Sequence, residues 1–211
     1  MYRPPFFAVD DVAVLHAAMR DRVFATVAAA VDGQVLFAYA PVIVDGDDGA
    51  LGGIRFHLAR GNPLARLADG ARVSITMIGA DAYVSPDWYR GIVTVPTWNY
   101  IAVEGEGVLV RQSPEALRAL VIALSAEEEA KLAPKAPWLV DKVPAERQAA
   151  LLNGIVGFSV AFERLQGKFK LSQDKKREDI EGAIAGLEAR DDAASLAVAA
   201  AMRRQLEGDG K

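Results

Sequence analysis

Three short stretches carry side chains whose types and spacing suit binding chemistry. Val95-Pro96-Thr97-Trp98-Asn99-Tyr100 sets two aromatics, an amide and a hydroxyl behind a proline, at the entrance of the longest strand-like run, Tyr100 to Gln112. Planar side chains interleaved with hydrogen-bonding groups suit a flat heteroaromatic ligand. Rim or core packing of Trp98 and Tyr100 explains the same pattern. Phe56-His57-Leu58-Ala59-Arg60-Gly61-Asn62-Pro63 ends a strand, then turns at a glycine into a helix capped by Asn62. A helix start offers free N–H groups and a positive dipole, and Arg60 can pair with phosphate oxygens. A plain cap beside a surface arginine is the alternative. His57 can donate to the same ligand or fill the barrel end. The third stretch is Lys168-Phe169-Lys170-Leu171-Ser172-Gln173-Asp174-Lys175. Lys170 and Gln173 can reach a carbonyl-rich ring edge or a phosphate. Capping by Ser172 or Asp174 with solvated lysines is the simpler account.

Other chemistries find little support. The chain has 211 residues, no cysteine and two histidines, His16 and His57, too far apart in sequence for a ligand pair, so no metal site is expected. His16 reads as a surface or boundary residue. Glu104 and Glu106 share a strand face, which solvent exposure explains, and no Ser-His-Asp set stands out. The glycines form no G-x-G-x-x-G or Walker pattern at a strand-to-helix junction. A net charge of −4 argues against a generic polyanion-binding surface. No apolar run is long enough for a membrane span and no signal peptide is evident, so a cytoplasmic location is expected.

The elements that must position these groups are mostly strands. A helix capped by Asp10 or Asp11 runs to about Arg20. Period-two alternation over Val23–Val31, the turn Asp32-Gly33 and the return strand Gln34–Val44 predict a hairpin, continued into Leu51–Leu58 as a three-stranded meander. The return strand is apolar on both faces, as a strand covered on both sides would be. A short helix from Asn62-Pro63 through Ala68 and a strand from Arg72 to Ile78 follow. Gly79 to Thr94 reads as an ordered loop with one short strand. A helix begins at Ser113-Pro114, another spans Ala145–Leu152, and Ile155–Glu163 is a strand with Val156, Phe158, Val160 and Phe162 on one apolar face. Two C-terminal helices close the chain. Strands in hairpin order without βαβ alternation predict a mainly β antiparallel barrel with peripheral helices.

Met1-Tyr-Arg-Pro-Pro-Phe-Phe, Arg60-Gly-Asn-Pro, Val95-Pro-Thr-Trp-Asn-Tyr, Gly154-Ile-Val-Gly-Phe and Lys170-Leu-Ser-Gln occur in this order. In order and spacing the set resembles the PaiB family of bacterial FMN-binding proteins, often called negative transcriptional regulators. The resemblance spans almost the whole chain. It implies the split barrel of FMN-binding, pyridoxine-phosphate-oxidase-like proteins, with a helical C-terminal extension. It also implies a homodimer with flavin grooves between subunits. The implied cofactor contacts are His57, Arg60 and Asn62 at the phosphate turn, Thr97, Trp98, Asn99 and Tyr100 beside the ring system or dimer groove, and Lys170 and Gln173 closing the pocket. Two departures stand out: Tyr39-Ala40-Pro41 where relatives commonly have His-Leu-Pro, and Asp174-Lys175 where they often have Asn-Arg.

The expectation is one domain over 1–211, with a barrel core at about 20–165, helices at 10–20 and 113–152, and a helical segment at 172–207. The expected function is FMN-dependent redox chemistry or sensing linked to negative transcriptional regulation. FMN-dependent oxidoreductase activity stays open, with no catalytic residue assigned. The alternatives are direct DNA binding and another planar cofactor such as haem. Acidity and the lack of a recognisable helix-turn-helix count against DNA.

Overall fold

The computed structural model describes residues 1–91 and 94–208. Its strands are β1 (Ala8–Val9), β2 (Phe24–Val31), β3 (Gln34–Asp45), β4 (Gly53–Ala59), β5 (Arg72–Val84), β6 (Thr97–Val108), β7 (Val110–Arg111) and β8 (Ile155–Lys170). Its helices are α1 (Val12–Arg22), α2 (Pro114–Ala130), α3 (Ala145–Leu152), α4 (Arg177–Glu188) and α5 (Ala193–Gly208). The strands hydrogen-bond in the order β1-β8-β4-β3-β2-β5-β6, β7 pairs with β8, and an additional β8–β6 pairing turns the path into a ring. This is the mainly β, antiparallel barrel class that the strand spacing predicts. Contacts divide the chain into two compact units. One, the meander unit, is Arg22–Met77 with Gly105–Leu165; the other, the helical unit, is Met1–Asp21, Ile78–Glu104 and Gln166–Lys211.

In the meander unit, the β2–β3 hairpin closes at Val31↔Gln34. Its turn residues Asp32 and Gly33 take φ of 48° and 77°. Positive φ at both positions is the turn whose twist matches two right-handed strands, and Asp-Gly tolerates it. β4 pairs with β8 so that Phe56 lies opposite Phe158, their ring centres 5.7 Å apart. Val156, Phe158, Val160 and Phe162 are all buried, as their alternation requires. Each such side chain contributes about 1.5–3 kcal/mol by leaving water. Ser113 Oγ accepts from Ala116 N at 3.2 Å and starts α2, whose Leu117, Leu120 and Leu124 are buried. The expectation that β3 is covered on both faces holds at its end, where Val42, Ile43 and Val44 are all buried, and is corrected for the first part of the strand. Ala38, Ala40 and Val42 are buried, yet Val35, Phe37 and Tyr39 are 56, 57 and 65% exposed. They alternate onto the outer face, joined there by Phe24 at 57%.

In the helical unit, Asp11 Oδ1 accepts from Ala13 N at 2.9 Å and from Val14 N at 3.1 Å, so Asp11 caps α1. His16 is buried, contrary to the boundary position expected of it. Ile180, Ala183, Ile184 and Leu187 form the buried stripe of α4. Gly182 and Gly186 let α4 sit directly on the Pro86–Trp88 turn. A Cβ at Gly182 would fall 2.2 Å from Trp88 O, and one at Gly186 2.2 Å from the indole.

Two further expectations are corrected. Residues 79–84, expected to begin a loop, continue β5 to Val84. Residues 92 and 93 of that stretch lie outside the described residues. β8 runs on to Lys170, so Lys168 and Lys170 belong to the strand and do not follow it. Neither Ser172 nor Asp174 caps α4, which begins after Lys176 with no side-chain cap.

Candidate functional site

His57, Arg60 and Asn62 belong to the meander unit; Thr97, Trp98, Asn99, Tyr100, Lys170 and Gln173 belong to the helical unit. Arg60 follows the last residue of β4. Its Nε donates to Asn153 O at 2.7 Å and its Nη2 to Ile155 O at 3.1 Å. The Nε/Nη2 edge is therefore spent on backbone carbonyls, and the Nη1 side is the one left for a ligand oxygen. Arg60 lines a cleft of about 420 Å³ with Arg111, Gln112, Leu117, Leu152 and Val156. Asn62 Oδ1 accepts from Leu64 N at 2.9 Å, so its carbonyl acts as a cap. The helix it caps is a four-residue 3-10 turn, Pro63–Arg66, and not the longer helix expected through Ala68. A single turn sums few peptide dipoles, so that N-terminus offers little of the positive field expected of it. His57 is half-buried, its Nδ1 has no hydrogen-bond partner, and burial lowers its pKa.

In the helical unit, the Lys170 ammonium donates to Thr97 Oγ1 and to Trp98 O, each at 2.6 Å. Burial is the largest cause lowering its pKa; the charges of Lys168 and Lys175 add to it and Asp174 opposes it. Trp98 is 54% exposed and meets Tyr83 edge-on, ring centres 6.3 Å apart. Lys168, two residues before Lys170 on the same strand face, stands 5.4 Å from the centre of the Tyr100 ring and 5.6 Å from that of Tyr2. Two ammonium groups thus flank an aromatic strand entrance. That donor set suits an electron-rich heteroaromatic carrying negative charge.

Asn99 and Gln173 do something else. Asn99 is 0% exposed, and its Nδ2 donates to Ser172 Oγ at 2.9 Å and to Met202 Sδ at 3.4 Å. Gln173 donates to Phe169 O at 2.5 Å and accepts from Leu171 N at 2.7 Å. Both hold the turn after β8, and so act on Lys170 through the backbone. In this stretch the sequence singles out Lys170 and Gln173 but not Lys168; extending the period-two pattern through Lys170 pairs the two lysines on one face. Arg111 carried no local signal. Among the described residues no cluster of three or more His, Cys, Asp or Glu could hold a metal ion, and no helix is long and apolar enough to cross a membrane.

Comparison with known proteins bears on these groups. The family model described as "Putative FMN-binding domain" matches residues 1–164, a span that includes Arg60 and Thr97–Tyr100 and stops short of Lys168, Lys170 and Gln173. The chain is 29% identical over 209 residues to the protease synthase and sporulation protein PAI 2 of Bacillus subtilis, covering 98% of this chain and 99% of that one. Among solved structures it is similar to the FAD and heme binding protein from Mycobacterium smegmatis, with TM-score 0.59, 18% identity, and 82% and 78% of the two chains covered. It is also similar to the flavocytochrome Anf3 from Azotobacter vinelandii, with TM-score 0.56, 17% identity, and 80% and 72% covered. At such identities the likeness to solved structures carries the fold, a split barrel, and nothing finer.

Proposed function

Because the chain belongs to the FMN-binding domain family, matched over residues 1–164, we propose that it is an FMN-binding homodimer of the PaiB type. In this reading the flavin serves redox chemistry or sensing linked to negative transcriptional regulation in the cytoplasm. FMN is the cofactor the family names, and when bound it supplies the electron-transfer chemistry itself. The chain's part is to bind and orient it. Arg60 takes the phosphate through its Nη1 side, with His57 and Asn62 as neighbours of that turn. Thr97, Trp98 and Tyr100 contact the ring system, Lys170 donates to its carbonyl edge, and Asn99 and Gln173 position Lys170.

The observation that carries the ring-side assignment is the half-buried Lys170 ammonium, held on Thr97 Oγ1 and Trp98 O beside an exposed indole. A partly desolvated ammonium with a hydrogen unspent is better satisfied when an anionic or carbonyl-rich ligand meets it. The dimer is supported by the outer face of β2 and β3. Phe24, Val35, Phe37 and Tyr39 make an exposed apolar sheet surface of the kind that an identical copy covers.

The regulatory role rests on the PaiB resemblance. A net charge of −4 and a pI near 5.3 weigh against direct DNA contact. Titration of the purified chain with FMN, followed by flavin fluorescence, tests the binding. Saturable binding that Arg60→Ala weakens supports the proposal, and absence of micromolar binding in the parent sinks it.

A further inference from the structure

The cleft that Arg60 lines holds a second guanidinium. Arg111, the last residue of β7, donates through Nη2 to Ala65 O at 3.0 Å and to Leu67 O at 3.4 Å. Its Cζ lies 5.3 Å from the centre of the buried Phe158 ring. Arg60 is tied in the same manner, to the carbonyls of Asn153 and Ile155. Each arginine therefore has an anchored side and an unspent Nη1, and neither enters an ion pair among the described residues. Asp69 accepts from the backbone N–H of Arg111 at 2.8 Å and not from its guanidinium.

The residues lining the cleft include two arginines and no acid, in a chain whose net charge is −4. Pro114, the first residue of the 17-residue helix α2, also lines it, so the positive end of that helix adds to the field. The rest of the lining is mixed: Gln112 and Asn153 are polar, and Leu117, Leu152, Ile155 and Val156 are apolar. Both arginines line this one cleft, so an oxyanion bound there is attracted by two positive charges with no lining carboxylate to oppose it. A volume of about 420 Å³ lies in the range of small-molecule sites.

We propose that this cleft is a binding site for an organic oxyanion. A carboxylate or phosphate head is engaged by Arg60 and Arg111, and an apolar body lies on Leu117, Leu152 and Val156. The head chemistry is shared by the phosphate of a flavin mononucleotide and by a free apolar acid. The site stands on the geometry of the cleft, and the flavin reading above supplies one of its two sources.

Calorimetric titration of the full chain with inorganic phosphate, butyrate, octanoate and FMN tests it. Octanoate is expected to bind saturably and more tightly than butyrate. Arg111→Gln is expected to weaken octanoate and phosphate by about tenfold or more, the loss of charge-assisted hydrogen bonds. Arg111→Lys keeps the charge and the packing of the stem, and is expected to fall between the two. FMN that displaces octanoate identifies the head as flavin phosphate; FMN that binds without displacing it identifies a free acid. Failure of octanoate and phosphate to saturate the parent, or equal affinities in the parent and both Arg111 variants, overturns the site. The flavin reading is judged separately, by whether FMN binds the parent at all.

Discussion

The ammonium of Lys170 donates to the hydroxyl of Thr97 at 2.6 Å and, at the same distance, to the carbonyl of Trp98. The end of β8 is thereby fastened to the start of β6, and one of the three ammonium hydrogens remains for a ligand. Lys170→Met keeps the stem and removes the charge, so FMN affinity is expected to fall about tenfold. Burial lowers the Lys170 pKa from its ordinary 10.5, so in the alkaline window below 10.5 the unfolded chain binds more protons than the folded one. Stability from this group therefore rises with pH through that window. Urea denaturation of parent and Lys170→Met across the window is expected to show the rise in the parent alone.

His57 supplies a second pH-dependent quantity. Its Nδ1 is buried without a partner, and burial lowers its pKa below 6.5. Between the lowered value and 6.5 the unfolded chain takes up the proton first, so stability falls as pH drops through that window. His57→Gln removes that slope. Unfolding midpoints at about pH 7.5 and about pH 5 are expected to separate less in the variant than in the parent.

Asn99 and Ser172 are hydrogen-bonded to each other among the buried polar side chains of the helical unit. Tyr89 Oη and Ser172 Oγ lie 3.3 Å apart, and Asn99 Nδ2 is 2.9 Å from the same hydroxyl. Asn99→Leu leaves Ser172 with fewer partners in a place water does not reach. A loss of about 1–3 kcal/mol is expected from chemical denaturation. FMN affinity should fall with it, because the turn that carries Lys170 loosens. Unchanged stability would show that the network is incidental.

Phe37 stands on the exposed face of β3, opposite Ala28 on β2. Phe37→Glu places a charge on the surface proposed for self-association. Sedimentation is expected to report a dimer for the parent and a monomer for the variant, with far-ultraviolet circular dichroism unchanged. A monomeric parent contradicts the dimer.

Local signals were legible in the sequence where a turn or a cap decides the structure. Asp32-Gly33 specifies its hairpin within four residues, and Ala145–Leu152 forms the helix predicted for it. What escaped depended on distant partners. The second half of β8 is a strand because Lys168 pairs with Ala8, a register no local pattern announces. The sequence offers Asn99 as a cofactor contact, and its burial against Ser172 and Met202, 73 and 103 residues away, has no local signal. Arg111 joins Arg60 because α2 and α3 complete one cleft with both. The outer face of β3 misled for a different reason. An apolar strand reads as covered, whether its cover is the same chain or another copy.

The most direct test of the central claim is the absorption spectrum of the purified chain titrated with FMN, with haem as competitor. Saturation at about one flavin per chain with micromolar or tighter affinity, shifted flavin bands and no displacement by haem is the predicted result. A Soret band with no saturable flavin binding would contradict it.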